Sequence, residues 1–244
     1  MSVADNIRQL KIDIDETFKA GSKAFWDAYT KNALSVDCRY MFAGAAWTND
    51  SFKPPYDEPL KPNPTASRYM FQDSGITKIT KEQIDFSNAT NLRQTFSQSN
   101  IEEAYVDASK AYLYNTFETI QDPEATKLEL IVSDKTTYRD AFKGFTSLTE
   151  LRIYGKEYNT EGTEFELING TIGNGGFDLT DCTYLSVQSI KSVLNACNKE
   201  NANITVTLPY YCIDGKTITS DICFMQLSEE YNAAIANDYF ISWN

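Results

Sequence analysis

Short runs of alternating apolar and polar residues recur along the chain. Leu128, Leu130 and Val132 are spaced two apart, as are Leu151 and Ile153. Further apolar runs cover Ile76 to Ile79 with Ile84 to Phe86, Ile101 to Val106, and Leu148 to Tyr154. A period of two is the signature of a strand with one buried face. Each run follows a phenylalanine that closes a recurring tetrapeptide. Arg39-Tyr40-Met41-Phe42 returns identically as Arg68-Tyr69-Met70-Phe71. Looser copies are Arg93-Gln94-Thr95-Phe96, Tyr114-Asn115-Thr116-Phe117 and Arg139-Asp140-Ala141-Phe142. The spacing predicts a unit made of a helical turn that carries the phenylalanine, then a loop, then a strand. Such a unit cannot bury its apolar face alone. Stacking brings Phe42, Phe71, Phe96, Phe117 and Phe142 into one interior ladder and the strands into a parallel sheet.

The phenylalanines are 29, 25, 21 and 25 residues apart. These intervals fall in the window of roughly 20–29 residues that leucine-rich repeats occupy. The predicted fold class is therefore α/β, a leucine-rich-repeat-like solenoid with irregular repeats over about residues 37–244, preceded by an N-terminal helix. That helix covers Ser2 to Leu34. Val3, Ile7, Leu10 and Ile14 advance in steps of four, three and four, a heptad-like spacing that fails at Thr17 and Gly21. It either lies along its own domain or serves as an attachment or oligomerisation stalk. Phe25, Trp26 and Tyr29 are expected to pack onto the first repeat. Trp47 to Pro64 holds Pro54, Pro55, Pro59, Pro62 and Pro64, which excludes a regular helix or a central strand. It is an irregular first strand or a linker, and Trp47, Phe52 and Tyr56 argue for packing. Tyr154 to Ile172 breaks the rhythm as an insertion.

Past it, Asn169-Gly170 and Gly173-Asn174-Gly175-Gly176 are turn signals. An amphipathic helix is predicted over Ser186 to Cys197, with Val187, Ile190, Val193, Leu194 and Cys197 on one face. A strand is predicted over Ile204 to Leu208. A helix follows over Ser228 to Asn237 with Ser228 as N-cap, and a final strand over Tyr239 to Trp243. The organisation expected is an N-terminal helix at 1–34, irregular repeats at 35–167 and a C-terminal repeat and capping module at 168–244.

Composition narrows the function. The chain has 244 residues and no histidine. Triads with a histidine base and imidazole metal sites are therefore excluded. Neither a Walker loop nor a G-x-G-x-x-G fingerprint is present. Carboxylate-only chemistry, such as a glycan depolymerase, has no positive signal, so no catalytic residue, cofactor or metal is expected. A net charge of −12 disfavours nucleic acid and anionic membrane surfaces as partners. The longest apolar runs are too short to span a bilayer, and charges among residues 1–16 disfavour a signal peptide. Cys38, Cys182, Cys197, Cys212 and Cys223 follow no ligand spacing. Reduced buried thiols are expected, with Cys182–Cys197 or Cys212–Cys223 pairing as the alternative.

Three stretches resemble one family. They are Ile168 to Leu179 (Ile-Asn-Gly-Thr-Ile-Gly-Asn-Gly-Gly-Phe-Asp-Leu), Leu185 to Ile190, and Ile204 to Leu208, closed by a helix and a strand containing Trp243. Together they are similar to the terminal module of leucine-rich-repeat (BspA-like) tail and virion structural proteins of gut-bacterial phages and prophages. Met1 to Ile7 resembles the short N-terminal helix of that family. Phe25 to Tyr29, Tyr40 to Phe42 and Phe52 to Tyr56 resemble the start of its repeat domain. The resemblance implies a virion structural protein, a tail, baseplate or fibre component made in the host cytoplasm, that recognises other virion proteins or a host-surface glycan or protein. A bacterial leucine-rich-repeat interaction protein or adhesin fragment is the alternative. Recognition is expected on irregular loops of the rigid scaffold. The candidate contact surface is Trp47, Tyr154 and Tyr158 with Glu161, Glu164 and Glu166, unless these aromatics only plug the solenoid edge. Val3, Ile7, Leu10 and Ile14 are the candidate homo-oligomerisation seam.

Overall fold

A computed structural model describes residues 38–40, 43–44, 64–118, 120, 126–158, 161–162, 165–173 and 176–244. The helix expected at 1–34, residues 47–63 of the proline-rich stretch, and Phe42 lie outside the described residues. What is described winds into a β-solenoid of about five turns. Each coil lays one rung on each of two parallel columns. In chain order the strands of the coils are β1 (Lys78–Ile79), β2 (Glu103–Asp107), β3 (Tyr112–Tyr114), β4 (Thr126–Ile131), β5 (Thr137–Arg139) and β6 (Leu148–Tyr158). The larger column runs β1-β2-β4-β6 in parallel. The smaller pairs β3 with β5 and continues upward through bridges of Ala66 to Asn91 and Asn91 to Tyr112.

The inner face of the larger column follows the period of two. Leu128 and Leu130 of β4, and Leu151 and Ile153 of β6, are buried. Between the columns sits the phenylalanine ladder. Phe71 stacks on Phe96, Phe96 on Phe117 and Phe117 on Phe142, each pair with ring centres 5.6 Å apart. The planes are within 13° of parallel, and all four rings are buried. Such contacts add about 0.5–1.5 kcal/mol per pair beyond the area they bury.

The segment around each described phenylalanine of the ladder is a tight turn and not the helical turn expected. The backbone explains the difference. Two residues before each ring position the chain takes a left-handed conformation, at Tyr40, Tyr69, Gln94, Asn115 and Asp140. Two residues after, it does so again at Gly44, Asp73, Gln98 and Gly144. A right-handed helix cannot pass through such residues. The corners are instead held by hydrogen bonds between coils. Gln94 N–H donates to Tyr114 C=O at 2.9 Å, Asn115 N–H to Arg139 C=O at 3.1 Å, and Phe96 N–H to Thr116 C=O at 2.9 Å. The second column was not foreseen, and Ile84 to Phe86 forms no strand although Ile84 and Phe86 are buried.

The stretch expected as an insertion after Tyr154 is a hairpin. β6 runs on to Tyr158, and β7 (Phe165–Asn169) returns antiparallel beside it. The chain then enters a cap of β8 (Phe177–Asp178), α1 (Val187–Asn195), β9 (Ile204–Leu208), β10 (Tyr211–Cys212), β11 (Thr217–Ile218), α2 (Thr219–Met225), α3 (Ser228–Ala236) and β12 (Tyr239–Trp243). β8, β9 and β12 form a parallel sheet, while β10 and β11 make a small antiparallel pair. Ser186 caps α1, its Oγ accepting from Ser189 N–H at 3.2 Å. Ser228 does not cap α3: it is the first helical residue, and Leu227 occupies the cap position without a side-chain bond. All five cysteines are buried, and Cys182, Cys197, Cys212 and Cys223 are free thiols.

Candidate functional site

The outer face of the larger column carries a groove of about 770 Å³. Period two turns Glu103 and Tyr105 of β2, Lys127 and Glu129 of β4, and Glu150, Arg152 and Tyr154 of β6 to that side, where they line the groove with Leu167. Register orders them into rows. Lys78, Glu103, Lys127 and Glu150 are consecutive across the strands, alternating in charge. Lys78 Nζ reaches Glu103 at 2.5 Å and Lys127 Nζ reaches Glu150 at 3.2 Å. The next row is Tyr105, Glu129 and Arg152. Burial, followed by the nearby Asp107, Glu129, Asp85 and Glu82 carboxylates, pushes the Tyr105 phenol up to about 12. That hydroxyl is a hydrogen-bond donor at every physiological pH.

The third row is Asp107, Ile131 and Tyr154. Asp107 is ion-paired to Lys156 from two strands away, and both side chains are nearly excluded from solvent. Asp107 also accepts from Ser109 N–H at 3.1 Å and from its hydroxyl at 2.7 Å. Breaking one half of such a buried pair strands a charge, at a cost of about 3–5 kcal/mol. Ile131 lies in register between these groups and is fully buried, although it stands on the outer face. The pair therefore ties β2 to β6 across β4, beyond the row of Tyr105, Glu129 and Arg152.

Of the predicted contact residues, Tyr154 lies in the groove and Tyr158 is exposed four residues on along the same strand. Glu161 is exposed in the turn between β6 and β7, and Glu166 is exposed on β7, opposite Glu157. Trp47 and Glu164, and the seam residues Val3, Ile7, Leu10 and Ile14, lie outside the described residues. Tyr105, Glu129 and Arg152 were missed. The signal that marks them is the polar half of each strand's alternation.

Among the described residues no group of carboxylates and thiols is arranged to hold a metal ion, and no helix is long and apolar enough to cross a membrane. No family model matches the chain, and neither a curated protein nor a solved structure resembles it significantly.

Proposed function

We propose that the chain is a structural protein of a phage virion, a tail, baseplate or fibre component whose solenoid recognises a protein or a host surface. The observation that carries this reading is the open sheet face: a wide groove on a rigid coil stack, with Tyr105, Tyr154 and Leu167 set among charged side chains. Aromatic area with polar tips on a rigid frame is the composition of a recognition surface. We take the coils as leucine-rich-repeat-like and the N-terminal segment as the helix that attaches or oligomerises the chain through Val3, Ile7, Leu10 and Ile14. Of the stretches that carry the family resemblance, Leu185 to Ile190 and Ile204 to Leu208 pack within the cap. Tyr154, Tyr158 and Glu161 are the proposed contacts, joined by Trp47 and Glu164.

The reading is of a binding protein without a cofactor, made in the host cytoplasm and acting on the virion. Two of the groove's carboxylates are spent on lysines of neighbouring strands, and the chain has no histidine to serve as a base. Antibody-gold labelling of native particles tests the assignment. Label confined to tails, baseplates or fibres is expected. Particles free of label, with the protein remaining in the host cell, would instead favour a bacterial interaction protein. Tyr154→Ala with Tyr158→Ala should weaken adsorption or incorporation while the melting temperature stays within a few degrees.

A further inference from the structure

A second line of side chains runs along the smaller column, away from the groove. The residue three before each ladder phenylalanine is Arg68, Arg93, Tyr114 and Arg139 in successive coils. Tyr40 and Tyr69 follow one residue later in their own copies. These side chains are stacked on one another. The guanidinium carbon of Arg68 lies 5.5 Å from the Tyr69 ring centre, and that of Arg93 lies 5.8 Å from Tyr69 and 4.8 Å from Tyr114. Arg139 lies 5.0 Å from Tyr114, and Tyr40 stacks on Tyr69 at 4.5 Å with planes 9° apart. Flat faces are thus consumed along the solenoid axis. What remains are edges, and the edges of guanidinium and phenol are hydrogen-bond donors.

The cations in this line are under-neutralised. Among the described residues neither Arg68 nor Arg93 has an ion-pair partner, and the Nε of Arg68 is buried without any hydrogen-bond partner. Arg139 meets only Asp140, at 4.0 Å, and is well exposed. In a chain of net charge −12, three guanidiniums held in a row are conspicuous. Cation–π stacking is worth about 0.5–2 kcal/mol per contact and fixes them there by their faces. Among the described residues the one side-chain hydrogen bond they donate is a long one, Arg93 Nε to Gln94 Oε1 at 3.4 Å.

We propose that this column binds a linear carboxylated polysaccharide lying along the solenoid axis. Each arginine takes a carboxylate through its planar fork, and the tyrosine hydroxyls bond sugar oxygens. Rungs of a parallel column are about 4.8 Å apart. Arg68 and Arg93 are one rung apart, and Arg93 and Arg139 two, so the line suits acidic groups repeated along an extended chain. Nucleic acid is the less favoured polyanion, because its dense phosphate charge meets the negative field of the whole protein. The site lies apart from the sheet groove, and its ligand class goes beyond the recognition role proposed above.

The test is direct binding of the full chain to polygalacturonate and to hyaluronan, with neutral dextran and a single-stranded DNA of matched charge as comparisons, at 50 and 300 mM salt. The parent should bind one or both polyuronates, ignore dextran, bind DNA at least tenfold more weakly, and lose at least tenfold on going to high salt. Arg93→Gln with Arg139→Gln should cost a further tenfold or more, with the melting temperature within a few degrees. Arg93→Lys, which keeps the charge but not the fork, should fall between. Lys216→Gln, an exposed cation in the cap, should leave polyuronate binding unchanged. If the double variant does not fold, Arg139→Gln alone reads the same loss, since that side chain is exposed. A parent that binds no polyuronate, variants that bind unchanged, or DNA bound as tightly as polyuronate would each overturn the proposal. Particle labelling keeps the two readings apart: unlabelled particles with intact polyuronate binding defeat the virion assignment alone, and labelled particles without polyuronate binding defeat this site alone.

Discussion

Residues 64–158 and the cap at 176–244 bury their cores by different means. In the coils each rung offers its backbone to the next, and each phenylalanine lies flat on its neighbour. In the cap the ladder turns: Phe177 meets Phe142 at 57° and Tyr138 edge-on at 79°. Helices replace turns, and side chains take over backbone bonds. The handover is at β6. Its edge next to the cap has no strand over Leu148–Ile153, and α1 lies there instead. Leu151 N–H donates to Ser189 Oγ and Ile153 N–H to Ser192 Oγ, both at 2.8 Å, while Ser186 N–H donates to Thr149 C=O at 2.9 Å. Serines three residues apart on a helix thus occupy the edge that another coil would have used. A repeat in which every rung resembles the next has no natural end, and an open edge invites pairing with another chain. A helix bearing hydroxyls satisfies the edge and cannot propagate it.

The largest contrast should appear at alkaline pH. Four of the five cysteines, Cys182, Cys197, Cys212 and Cys223, lie in the cap. Burial pushes Cys197 up to about 12 and Cys223 up to about 11, and raises Cys182 and Cys212 as well. Below the pKa of an unfolded thiol both states are protonated and nothing is gained or lost. Above about pH 9 the unfolded chain ionises while the folded one keeps its protons, so stability falls by about 1.4 kcal/mol per pH unit for each such thiol. Cys197 and Cys223 together should remove roughly 5 kcal/mol over two pH units. Between pH 6 and 8 no histidine titrates, and the unfolding midpoint should be flat. Denaturation at each pH, with Cys197→Ala flattening the alkaline slope, checks this. Constant stability to pH 11 would mean that the cap opens to solvent.

The next effect belongs to the coils. Phe117 touches Phe96, Phe142 and Phe145, with Phe145 at 5.9 Å. Truncating it to Ala should cost about 3–5 kcal/mol, the range for a buried aromatic whose neighbours cannot collapse. A loss below about 1 kcal/mol in urea unfolding would show that the ladder is not what holds the coils.

The junction should respond less. Ser189→Ala leaves the buried Leu151 N–H without its acceptor, and Ser192→Ala does the same to Ile153 N–H. Each should cost about 1–3 kcal/mol and expose the β6 edge, visible as faster amide exchange at Leu151 or Ile153. Variants that keep both stability and exchange rates would remove the helix from its role as terminator.

Much of this was legible. The five tetrapeptides located the interior ladder because an aromatic at one recurring position has few other uses, and the described four of the five phenylalanines stack as expected. The period of two found β4 and β6. Helix α1 was visible from its apolar face and strand β12 from its aromatics. The turns were not, because they rest on left-handed residues that are mostly Tyr, Gln, Asn and Asp, where glycine would have given them away. β3 and β5 are three residues each, too short for a period to register. The arginines of the smaller column stand within the tetrapeptide, but a single sequence does not show that they share one face of the coils. The groove needed strand register, which no single sequence supplies.

Those left-handed corners give the smallest and most discriminating test. Gln94 has φ of 51° and Asn115 of 50°. An ordinary side chain in this conformation costs about 1–2 kcal/mol, whereas Asn tolerates it through its short polar side chain. Glycine removes that cost but adds about 0.5–1 kcal/mol of unfolded-state entropy. Gln94→Gly should therefore raise stability by up to about 1 kcal/mol, and Asn115→Gly should leave it unchanged or slightly lower. Both keep the N–H bonds to Tyr114 and Arg139 that tie the coils. The Gln94 side chain itself contributes only a long contact, Arg93 Nε to Oε1 at 3.4 Å. If Gln94→Gly instead destabilises the protein by more than Asn115→Gly does, the strained corner is compensated through the side chain, and the arginine line of the smaller column owes part of its order to Gln94.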